Sequence, residues 1–440
     1  MVIGIRREDK NRWERRVPLT PEDAGRLIGE RGFKFHVQPS PIRCFPDEQY
    51  AKAGAQIRED LSGCDLILGV KEVPIPLILP RKAYMYFAHV IKGQPYNMQM
   101  MKHLLATGCS LLDHELVTDE HGRRMLFFGR FAGLAGMIDT LHSLGQRLEH
   151  EGIPSPFATI RPAHEYADLA AAERTLAGVA DEVRERGLDP RISPLVVGFS
   201  GYGHVSSGAQ EVLDLLPVET ISPAELPALR ARPDLSRQRV YKVVFREEDM
   251  VEPRTPNGRF ELQDYYQHPE KYVGVFDRYT PHLSVLVNGI FWTEKYPRLI
   301  TREAIARLYA DERVPHLRVV GDISCDIEGS IEFTLKATDP ENPAFVYEPA
   351  TGKARDGFAG RGPVVMAVDN LPCELPVESS RYFSEQMHDM LDAVKAPDLA
   401  APADRVAIPE PLRRSIIAWQ GKFLPRFEYI SAFLNRDGKH

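Results

Sequence analysis

Cysteine is scarce in this sequence, and its positions follow no binding pattern. The cysteines are odd in number, widely separated and without a Cys-x-x-Cys pair: Cys44, Cys64, Cys109, Cys325 and Cys373. Disulfide frameworks and structural zinc sites need paired or closely spaced cysteines. The sequence therefore predicts neither a disulfide framework nor a metal site, and it indicates a reducing, cytoplasmic compartment.

Long apolar runs and clusters of one charge are also missing. No stretch reaches the roughly 18 apolar residues of a membrane span, and residues 1–16 are too charged for a secretory signal. The net charge is −7, and lysine and arginine are scattered along the chain. We therefore expect a soluble protein that has neither a membrane nor a nucleic acid as partner. A local group of cations would still suffice for an anionic cofactor.

The motifs of common hydrolases and nucleotide kinases are absent as well. The sequence has no G-x-S-x-G elbow, no Walker A loop and no H-E-x-x-H. It does have length, because 440 residues exceed one ordinary core and predict two or three domains. Hydrophobic residues make up 43% and charged residues 27%, as in an ordinary globular protein.

Short apolar runs alternate with helical patterns in the first third of the chain. Thr20 and Pro21 form a helix start, with Thr20 as N-cap. Strands are predicted at residues 2–5, 33–38, 66–70, 84–89 and 110–113, and further helices near 47–56 and 95–107. Such alternation predicts an α/β fold with mostly parallel sheets flanked by helices.

A second region begins with a long helix predicted from Ala132. Further strands are predicted at residues 195–199, 218–221, 240–245, 282–290 and 318–323, with polar loops or small insertions at 246–281 and 338–362. A helical pattern from Pro376 leads the chain back to the first domain. We therefore predict a first domain of residues 1–140 plus 376–440 and a second of residues 141–375.

A glycine turn lies between the strand predicted at 195–199 and the helix that follows. In SGYGHVSSGAQ, Gly201 allows a tight turn, Gly203 lets the backbone approach a pyrophosphate, and Gly208 lets helix and strand pack closely. The third position of G-x-G-x-x-G holds Ser206, so a plain glycine turn is the alternative. The predicted strand before the turn, the predicted helix after it and the acidic Glu219 of the next strand favour dinucleotide binding.

Glu219 ends the next predicted strand, where an acid binds the ribose hydroxyl of NAD. Arg230 or Arg232 could equally serve the 2′-phosphate of NADP.

Two residues that follow apolar strands carry proton-transfer chemistry. Lys71, followed by Glu72, ends LILGVK, and His89 ends YMYFAH. A lysine at a buried strand end can have its pKa lowered toward neutrality, and histidine titrates there already. Such a pair can relay protons to and from an amine. The alternatives are a surface charge for Lys71 and a core histidine for His89.

Charged residues elsewhere allow two further interpretations. The arginines near the N-terminus form either a salt-bridged loop or a bidentate clamp for a substrate carboxylate, with Arg16 the best placed. Asp322 and Asp326 follow an apolar strand, but no His or Cys completes a metal-ligand set. A role for Asp322 at a cofactor or substrate cleft is therefore favoured.

Segments along nearly the whole chain, residues 1–435, resemble one enzyme family. They include RREDKNRWERRVPLTP, LILGVKE, YFAHVIKGQ, HGRRMLFFGRFAGLAGMID, FSGYGHVSSGAQ and DISCDIEGSIEF. In this order they are similar to the lysine-ketoglutarate reductase half of bifunctional aminoadipic semialdehyde synthases. That enzyme is a lysine-forming saccharopine dehydrogenase, related to alanine dehydrogenase and the transhydrogenase N-terminal domain.

The resemblance implies two Rossmann-like domains with an inter-domain cleft, the first domain discontinuous. It also implies condensation of the lysine amine with 2-oxoglutarate and reduction of the imine, with NADP(H) favoured and NAD(H) possible. Its residues fall on Lys71 and His89 for proton transfer, on Arg16, Arg6, Glu72 and Arg124 for substrate, and on Gly201, Gly203, Val205, Gly208, Arg123 and Asp322 for the cofactor or cleft. The protein would be a monomer or a homo-oligomer with small-molecule substrates.

Two departures from the family leave alternatives open. The second half of the bifunctional enzyme is absent, and Tyr202, His204 and Ser207 differ from the loop of the animal enzymes. Another amine or keto acid therefore stays possible. The alternatives are an alanine-dehydrogenase-like reaction with ammonia and a catalytically silent cofactor-binding protein.

Overall fold

The computed structural model describes residues 1–310, 315–394 and 398–434 of the chain. The N-terminal region alternates strands and helices, as its apolar pattern predicts. Its elements are β1 (Val2–Ile5), α1 (Pro21–Arg31), β2 (Lys34–Val37), α2 (Asp47–Lys52), β3 (Gln56–Ile57), β4 (Leu66–Leu68), β5 (Ala83–Tyr86), α3 (Pro95–Ala106) and β6 (Ser110–Asp113).

Helix α1 begins and ends at the residues that its sequence favours. The Thr20 side chain accepts a hydrogen bond from the Asp23 N–H, and Pro21 occupies the first turn. Gly32 ends the helix in the left-handed conformation at φ 65°, which glycine adopts without strain. The predicted helix start is confirmed.

The middle region contains a second α/β alternation. Its elements are α4 (Gly129–His150), α5 (Leu169–Arg186), β7 (Val196–Ser200), α6 (His204–Leu213), β8 (Val218–Ile221), β9 (Val240–Phe245), α7 (Glu247–Met250), β10 (Val251–Pro253), α8 (Leu262–Gln267), β11 (Tyr272–Gly274), β12 (Val285–Asn288), α9 (Arg302–Leu308), β13 (Val319–Asp322), β14 (Ala344–Glu348), β15 (Lys353–Asp356) and β16 (Val364–Met366). The C-terminal region adds α10 (Pro376–Asp392), α11 (Glu410–Arg414), β17 (Ile416–Trp419) and β18 (Lys422–Phe423).

The chain divides into two compact units. Unit 1 comprises Met1–Phe128 and Pro376–His440, and unit 2 comprises Gly129–Leu375. The chain thus returns to unit 1 at α10, where the sequence predicts its return. The change of unit falls at the first residue of α4, whereas the predicted boundary at residue 140 lies inside that helix.

Each unit is built on one eight-stranded sheet. In unit 1 the strand order is β18-β17-β6-β5-β4-β1-β2-β3, parallel from β6 to β3 and antiparallel at β17 and β18. In unit 2 the order is β15-β14-β16-β13-β12-β7-β9-β8, parallel from β16 to β8. Both sheets are therefore mostly parallel, as predicted, with an antiparallel hairpin or strand pair at one edge.

Apolar side chains cover both faces of the unit 1 sheet. Leu66 and Leu68 of β4 belong to the cluster that includes α1 and α10, whereas Ile67 belongs to the cluster that includes α3. Successive side chains of a strand point to opposite faces, so one short apolar run serves both layers. This arrangement leaves the carboxyl ends of the strands as the places where polar side chains gather.

The predicted loops at 246–281 and 338–362 are wrong in part. The first contains α7, α8 and the antiparallel pair β10–β11. The second contains β14 and β15, which form a hairpin that joins the sheet beside β16. The apolar runs of these segments are short and flanked by proline, glycine and charged residues. They form strands because they pair with neighbouring strands, which a local sequence pattern does not indicate. No helix within the described residues is both long and apolar enough to cross a membrane.

Candidate active site

Lys71 and His89 lie near one another at the carboxyl edge of the unit 1 sheet. Strands β4 and β5 are parallel neighbours, and each of the two residues follows its strand closely. Lys71 Nζ is 5.2 Å from the centroid of the Phe87 ring, and the His89 ring centroid is 5.2 Å from that same centroid. The two predicted proton-transfer residues therefore meet around one aromatic ring.

The surroundings of Lys71 favour its neutral amine. Burial, followed by the charge of Arg16, lowers the pKa of the Lys71 ammonium. The backbone N–H groups of Val70 and Lys71 donate to the two carboxylate oxygens of Glu8 at 2.8 and 3.0 Å. Glu8 is itself buried, so its carboxylate fixes the backbone at residues 70 and 71, which follow β4. The Lys71 amine therefore releases its proton more readily than that of a solvent-exposed lysine.

His89 is also shifted toward its neutral form. Burial lowers the pKa of His89, the carboxylate of Glu115 opposes that effect, and the charge of Lys71 adds to it. The hydroxyl of Tyr96 is hydrogen-bonded to the Nδ1 of His89. The imidazole is half-buried rather than enclosed, so it differs from a core histidine.

Arg16 is almost completely buried and faces a carboxylate of its own chain. Its Nε and Nη2 donate to Glu14 at 2.7 and 2.5 Å, and its guanidinium carbon is 4.4 Å from the Phe128 ring centroid. Two parallel bonds of this kind are the geometry predicted for a carboxylate clamp. Here the carboxylate belongs to Glu14, so a substrate at Arg16 would join an existing ion pair.

Arg6 and Glu72 are each held by an opposite charge within unit 1. Arg6 forms an ion pair with Asp9. The Nζ of Lys10 donates to Glu72 at 2.8 Å. Burial raises the pKa of Glu72, but the Lys10 contact and the Lys71 charge outweigh it, so the net pKa lies below its usual value. Glu72 is therefore ionised at neutral pH, beside Lys71.

Arg123 and Arg124 lie on an exposed turn of unit 1. The Arg123 side chain is 76% exposed, and its Nε donates to Asp119 at 2.7 Å. Arg124 forms an isolated β-bridge with Thr118. Their roles toward cofactor and substrate stay predictions.

The glycine turn of unit 2 leads from β7 into α6, as predicted. Gly201 has φ 83°, a conformation that a side chain would strain, and its N–H donates to Phe245 O at 3.1 Å. Gly203 is the N-cap of α6, and a Cβ added there would meet nothing within 4 Å. Free backbone N–H groups at a helix start attract a phosphate. The open space over Gly203 therefore fits the pyrophosphate of a dinucleotide.

Val205 and Gly208 pack inside unit 2, beneath this turn. A Cβ on Gly208 would lie 2.1 Å from Arg130 O, and a Cβ on Gly133 would lie 2.0 Å from Val205 O. Arg130 and Gly133 belong to α4, so the glycines allow two helices to touch. The prediction that Gly208 serves helix-to-strand packing is wrong, because its neighbour is a helix.

A cavity of about 410 Å³ opens beside the glycine turn. Glu247, which follows β9, lines it and accepts hydrogen bonds from the hydroxyls of Tyr202 and Tyr266 at 3.2 and 2.7 Å. The guanidinium of Arg246 lies 4.9 Å from the Tyr202 ring centroid. Other aromatic residues of the wall are Tyr265, Phe291, Trp292 and Tyr296. An aromatic cavity beside such a glycine turn fits a nucleoside.

Glu219 does not end its strand, so that part of the prediction is wrong. It is the second residue of β8 and pairs in register with Tyr241, near the amino end of β9. Its carboxylate accepts from Arg232 and Arg239 at 2.7 and 2.5 Å. Strand β8 is also separated from β7 by β9. A ribose at the glycine turn would meet the end of β9, and the structure gives Glu219 a salt bridge instead.

Asp322 is buried inside a hydrogen-bond network at the carboxyl ends of β12 and β13. It accepts from Thr334 Oγ1, Ser324 Oγ and Asn288 Nδ2 at 2.5, 2.7 and 2.8 Å. Ser200, the last residue of β7, donates in turn to Asn288 Oδ1 at 2.7 Å. The prediction that Asp322 binds the cofactor is therefore not supported, because its carboxylate is occupied by protein donors. Asp322 therefore connects the carboxyl ends of β12 and β13 and, through Asn288, the end of β7, where the glycine turn starts.

No metal site is visible in the parts of the chain that the structure describes. Among residues 1–310, 315–394 and 398–434, no group of three or more His, Cys, Asp and Glu side chains could hold a metal ion.

Similarity to known proteins covers nearly the whole chain. Residues 4–135 match the model of the alanine dehydrogenase/PNT N-terminal domain. An α-aminoadipic semialdehyde synthase from Arabidopsis thaliana is 38% identical over 98% of this chain and 41% of its own length. A saccharopine dehydrogenase (NAD(+), L-lysine-forming) from Neurospora crassa is 30% identical over 89% of this chain and 90% of its own. The chain belongs to the saccharopine dehydrogenase family. The resemblance and the prediction of an oxidoreductase of this type are confirmed.

The similarity has a fold component and a length limit. A solved L-alanine dehydrogenase aligns with TM-score 0.62 and 17% identity over 99% of this chain and all of its own. That likeness confirms the α/β fold with two Rossmann-like units. This saccharopine dehydrogenase family member spans less than half the length of the semialdehyde synthases from Arabidopsis thaliana and Bos taurus, 41% and 47%.

Three residues of this family member escaped the sequence analysis. Glu8 is hydrogen-bonded to the strand end that carries Lys71, Glu115 acts electrostatically on His89, and Arg246 packs on the glycine turn. Glu115 and Arg246 could have been found, because each follows a strand that was predicted. Glu8 also follows a predicted strand, but its partners lie about sixty residues later in the sequence, and no local pattern indicates that contact.

Proposed function

We propose that this family member joins the amine of an amino acid, with lysine expected, to a 2-keto acid, with 2-oxoglutarate expected. The reaction would give a saccharopine-type secondary amine, water and oxidised cofactor, and it could run in reverse. A nicotinamide cofactor would supply or accept the hydride. The observation that carries the proposal is the placement of Lys71 and His89 around Phe87 in a chain of this family.

The chemistry follows from the protonation states of the two residues. Attack on a keto acid needs an unprotonated amine, and a lysine side chain whose pKa is lowered can take that proton. Loss of water from the carbinolamine needs an acid near the departing oxygen, and an imidazole can donate a proton and recover it. Burial lowers the pKa of His89, so its imidazolium gives up the proton more readily than that of an exposed histidine. Two groups of different type thus allow one to act as base while the other acts as acid.

The test is a matrix of amines, keto acids and both reduced cofactors, followed by absorbance of the reduced nicotinamide. We expect consumption with lysine and 2-oxoglutarate, and a loss of roughly 10²–10⁴-fold in Lys71→Met and His89→Gln. Lys102→Met, at an exposed lysine of α3, should retain full activity. Turnover only with ammonium and pyruvate would point to an alanine-dehydrogenase-like reaction. Cofactor binding without turnover on any pair would reject catalysis.

For the cofactor we propose NADP(H) rather than NAD(H). Strand β9 lies next to β7, and Gly201 N–H donates to Phe245 O, so Arg246 begins directly beside the glycine turn. An arginine at this position can pair with the 2′-phosphate that distinguishes NADP. The relative from Neurospora crassa is named for NAD(+), so the preference has to be measured.

The measurement is KM for NADPH and for NADH in Arg246→Ala. We expect KM for NADPH to rise about tenfold or more, with a change below about twofold for NADH, because only NADPH carries the 2′-phosphate. Arg259→Ala removes an exposed arginine of the same unit and is the matched control. Equal changes for both cofactors would contradict a role in phosphate recognition.

We also propose that the protein works in a reducing, cytoplasmic compartment. Its five cysteines are all free in the structure, which supports this.

A further inference from the structure

His89 has a backbone conformation that a non-glycine residue rarely adopts. Its φ is 54°, in the left-handed region, which costs about 1 kcal/mol for a residue with a Cβ. Two neighbours hold the preceding residue in place. The N–H of Ala88 donates to Asp113 Oδ2 at 3.3 Å, and Asn97 Nδ2 donates to Ala88 O at 2.9 Å. Both backbone polar groups of the residue before His89 are therefore held by side chains.

The first turn of α3 also reaches the imidazole itself. Pro95 starts this helix, so Tyr96 and Asn97 both project from its first turn toward the His89 segment. The hydroxyl of Tyr96 is hydrogen-bonded to His89 Nδ1, and the two ring centroids are 5.6 Å apart at an interplanar angle of 69°. One turn of helix thus fixes both the backbone and the ring.

We propose that Tyr96 is a positioning residue that keeps His89 Nδ1 occupied in every protonation state, so that His89 exchanges protons through Nε2. The phenol oxygen can accept from Nδ1–H both in the imidazolium and in the neutral Nδ1–H tautomer, whose unprotonated Nε2 takes up and returns the exchanged proton. The hydroxyl therefore follows the ring through its titration without moving. Nothing in this role requires Tyr96 to touch substrate.

The charges around His89 set the background for any titration. Glu115 on the segment after β6 and Glu72 beside Lys71 favour the imidazolium, whereas Lys71 and Lys10 disfavour it. None of these charges selects one ring nitrogen over the other in the way that a direct hydrogen bond does. Tyr96 supplies that selection.

Tyr429 offers a matched control at the same segment. Its hydroxyl donates to Ile91 O at 2.7 Å, two residues after His89, and its side chain is 49% exposed compared with 61% for Tyr96. Tyr429→Phe and Tyr96→Phe each remove one exposed phenol oxygen from this segment. Only the second removes a contact to the imidazole.

The first readout is the ¹⁵N spectrum of histidine-labelled full-length protein, with His89 assigned by its loss in His89→Gln. We expect wild type and Tyr429→Phe to show one Nδ1–H tautomer of neutral His89, with Nε2 unprotonated. In Tyr96→Phe the Nε2–H tautomer should become populated and the pKa of His89 should change. Identical His89 signals in wild type and Tyr96→Phe would overturn the proposal.

The second readout, which rests on the proposed function, is the pH profile of kcat. We expect Tyr96→Phe to lower kcat about tenfold and shift one limb of the profile, with KM for both substrates within about twofold of wild type. A rise in KM with unchanged kcat would instead indicate a role in substrate binding and would overturn the proposal. If the wild-type protein shows no turnover, the proposed function fails, and the NMR readout still decides the role of Tyr96.

Discussion

The buried carboxyl pair of unit 2 should make the stability of this protein depend on pH. Asp139 of α4 and Glu374, from a short 3-10 helix, are 0% and 2% exposed, and burial followed by the charge of Glu374 raises the pKa of Asp139. The N–H of Ala163 donates to Asp139 at 2.8 Å, and the N–H of His164 donates to Glu374 at 3.1 Å. Two carboxyls in contact away from water cannot both be ionised cheaply, so the pair retains a proton.

The size of the effect follows from the difference between folded and unfolded pKa values. Burial is the largest cause for both groups, raising the pKa of Glu374 from 4.5 to about 7 and that of Asp139 well above its usual value. Between pH 4.5 and about pH 7, Glu374 therefore holds a proton in the folded protein that it has lost in the unfolded chain. The free energy of unfolding should fall by about 1.4 kcal/mol per pH unit as pH rises through this window. The part of this stabilisation that comes from Glu374 is complete below pH 4.5 and lost above about pH 7, a difference of about 3 kcal/mol.

Glu374→Gln tests this reasoning because it removes the titrating group and keeps an amide that can donate to Asp139. Between about pH 5 and pH 7 the wild-type thermal midpoint should fall by about 5–10 °C more than that of the variant. Differential scanning calorimetry across this range gives both curves. Glu173→Gln, at an exposed glutamate of α5, is the control and should follow the wild type. If the Glu374→Gln and wild-type curves run parallel, the pair does not share a proton in the way described.

Four further substitutions test the packing and the buried hydrogen bonds. Gly208→Ala should destabilise unit 2 by more than about 3 kcal/mol in chemical denaturation, because its Cβ would lie 2.1 Å from a carbonyl oxygen of α4. Gly178→Ala, in open space on α5, should instead stabilise the protein by about 0.5–1 kcal/mol. An unchanged midpoint in Gly208→Ala would refute the close contact of the two helices. Asp322→Ala should cost about 3 kcal/mol or more by the same assay, because two buried donors and one partly buried donor lose their acceptor. A loss below about 1 kcal/mol would contradict the network. Tyr50→Phe should cost about 1–2 kcal/mol, because the buried hydroxyl donates to a backbone oxygen at 2.6 Å, and a neutral result would argue against that bond.

Local sequence patterns were enough to predict much of the fold. The strands at 110–113, 218–221 and 240–245 were predicted at their observed bounds, because short apolar runs between polar turns leave little choice of element. Helix α5 was missed, although Ala172, Leu176, Val179 and Val183 form its buried stripe. Helix α5 contains many alanines and a glycine, whose small side chains make the helical spacing of its larger apolar residues harder to recognise.

Long-range pairing could not be predicted in the same way. The order β7-β9-β8 places the end of β9, not β8, beside the glycine turn, and no local feature of Glu219 reports that order. Asp322 was predicted to lie at a strand end, which is correct, but its donors Asn288 and Thr334 come from elsewhere in the chain. Whether a carboxylate is open to a ligand depends on such partners.

The two-part construction of unit 1 has a consequence for protein synthesis. The outer edge of β6 is covered by β17, which lies about three hundred residues later in the chain. A nascent chain that has emerged only as far as unit 2 therefore exposes an unpaired, apolar strand edge, the kind of surface that recruits foreign strands. Unit 2 is continuous in sequence and can fold during translation, whereas unit 1 has to wait for its last strands, so shielding of the β6 edge on the ribosome should decide how much of this protein reaches its native form.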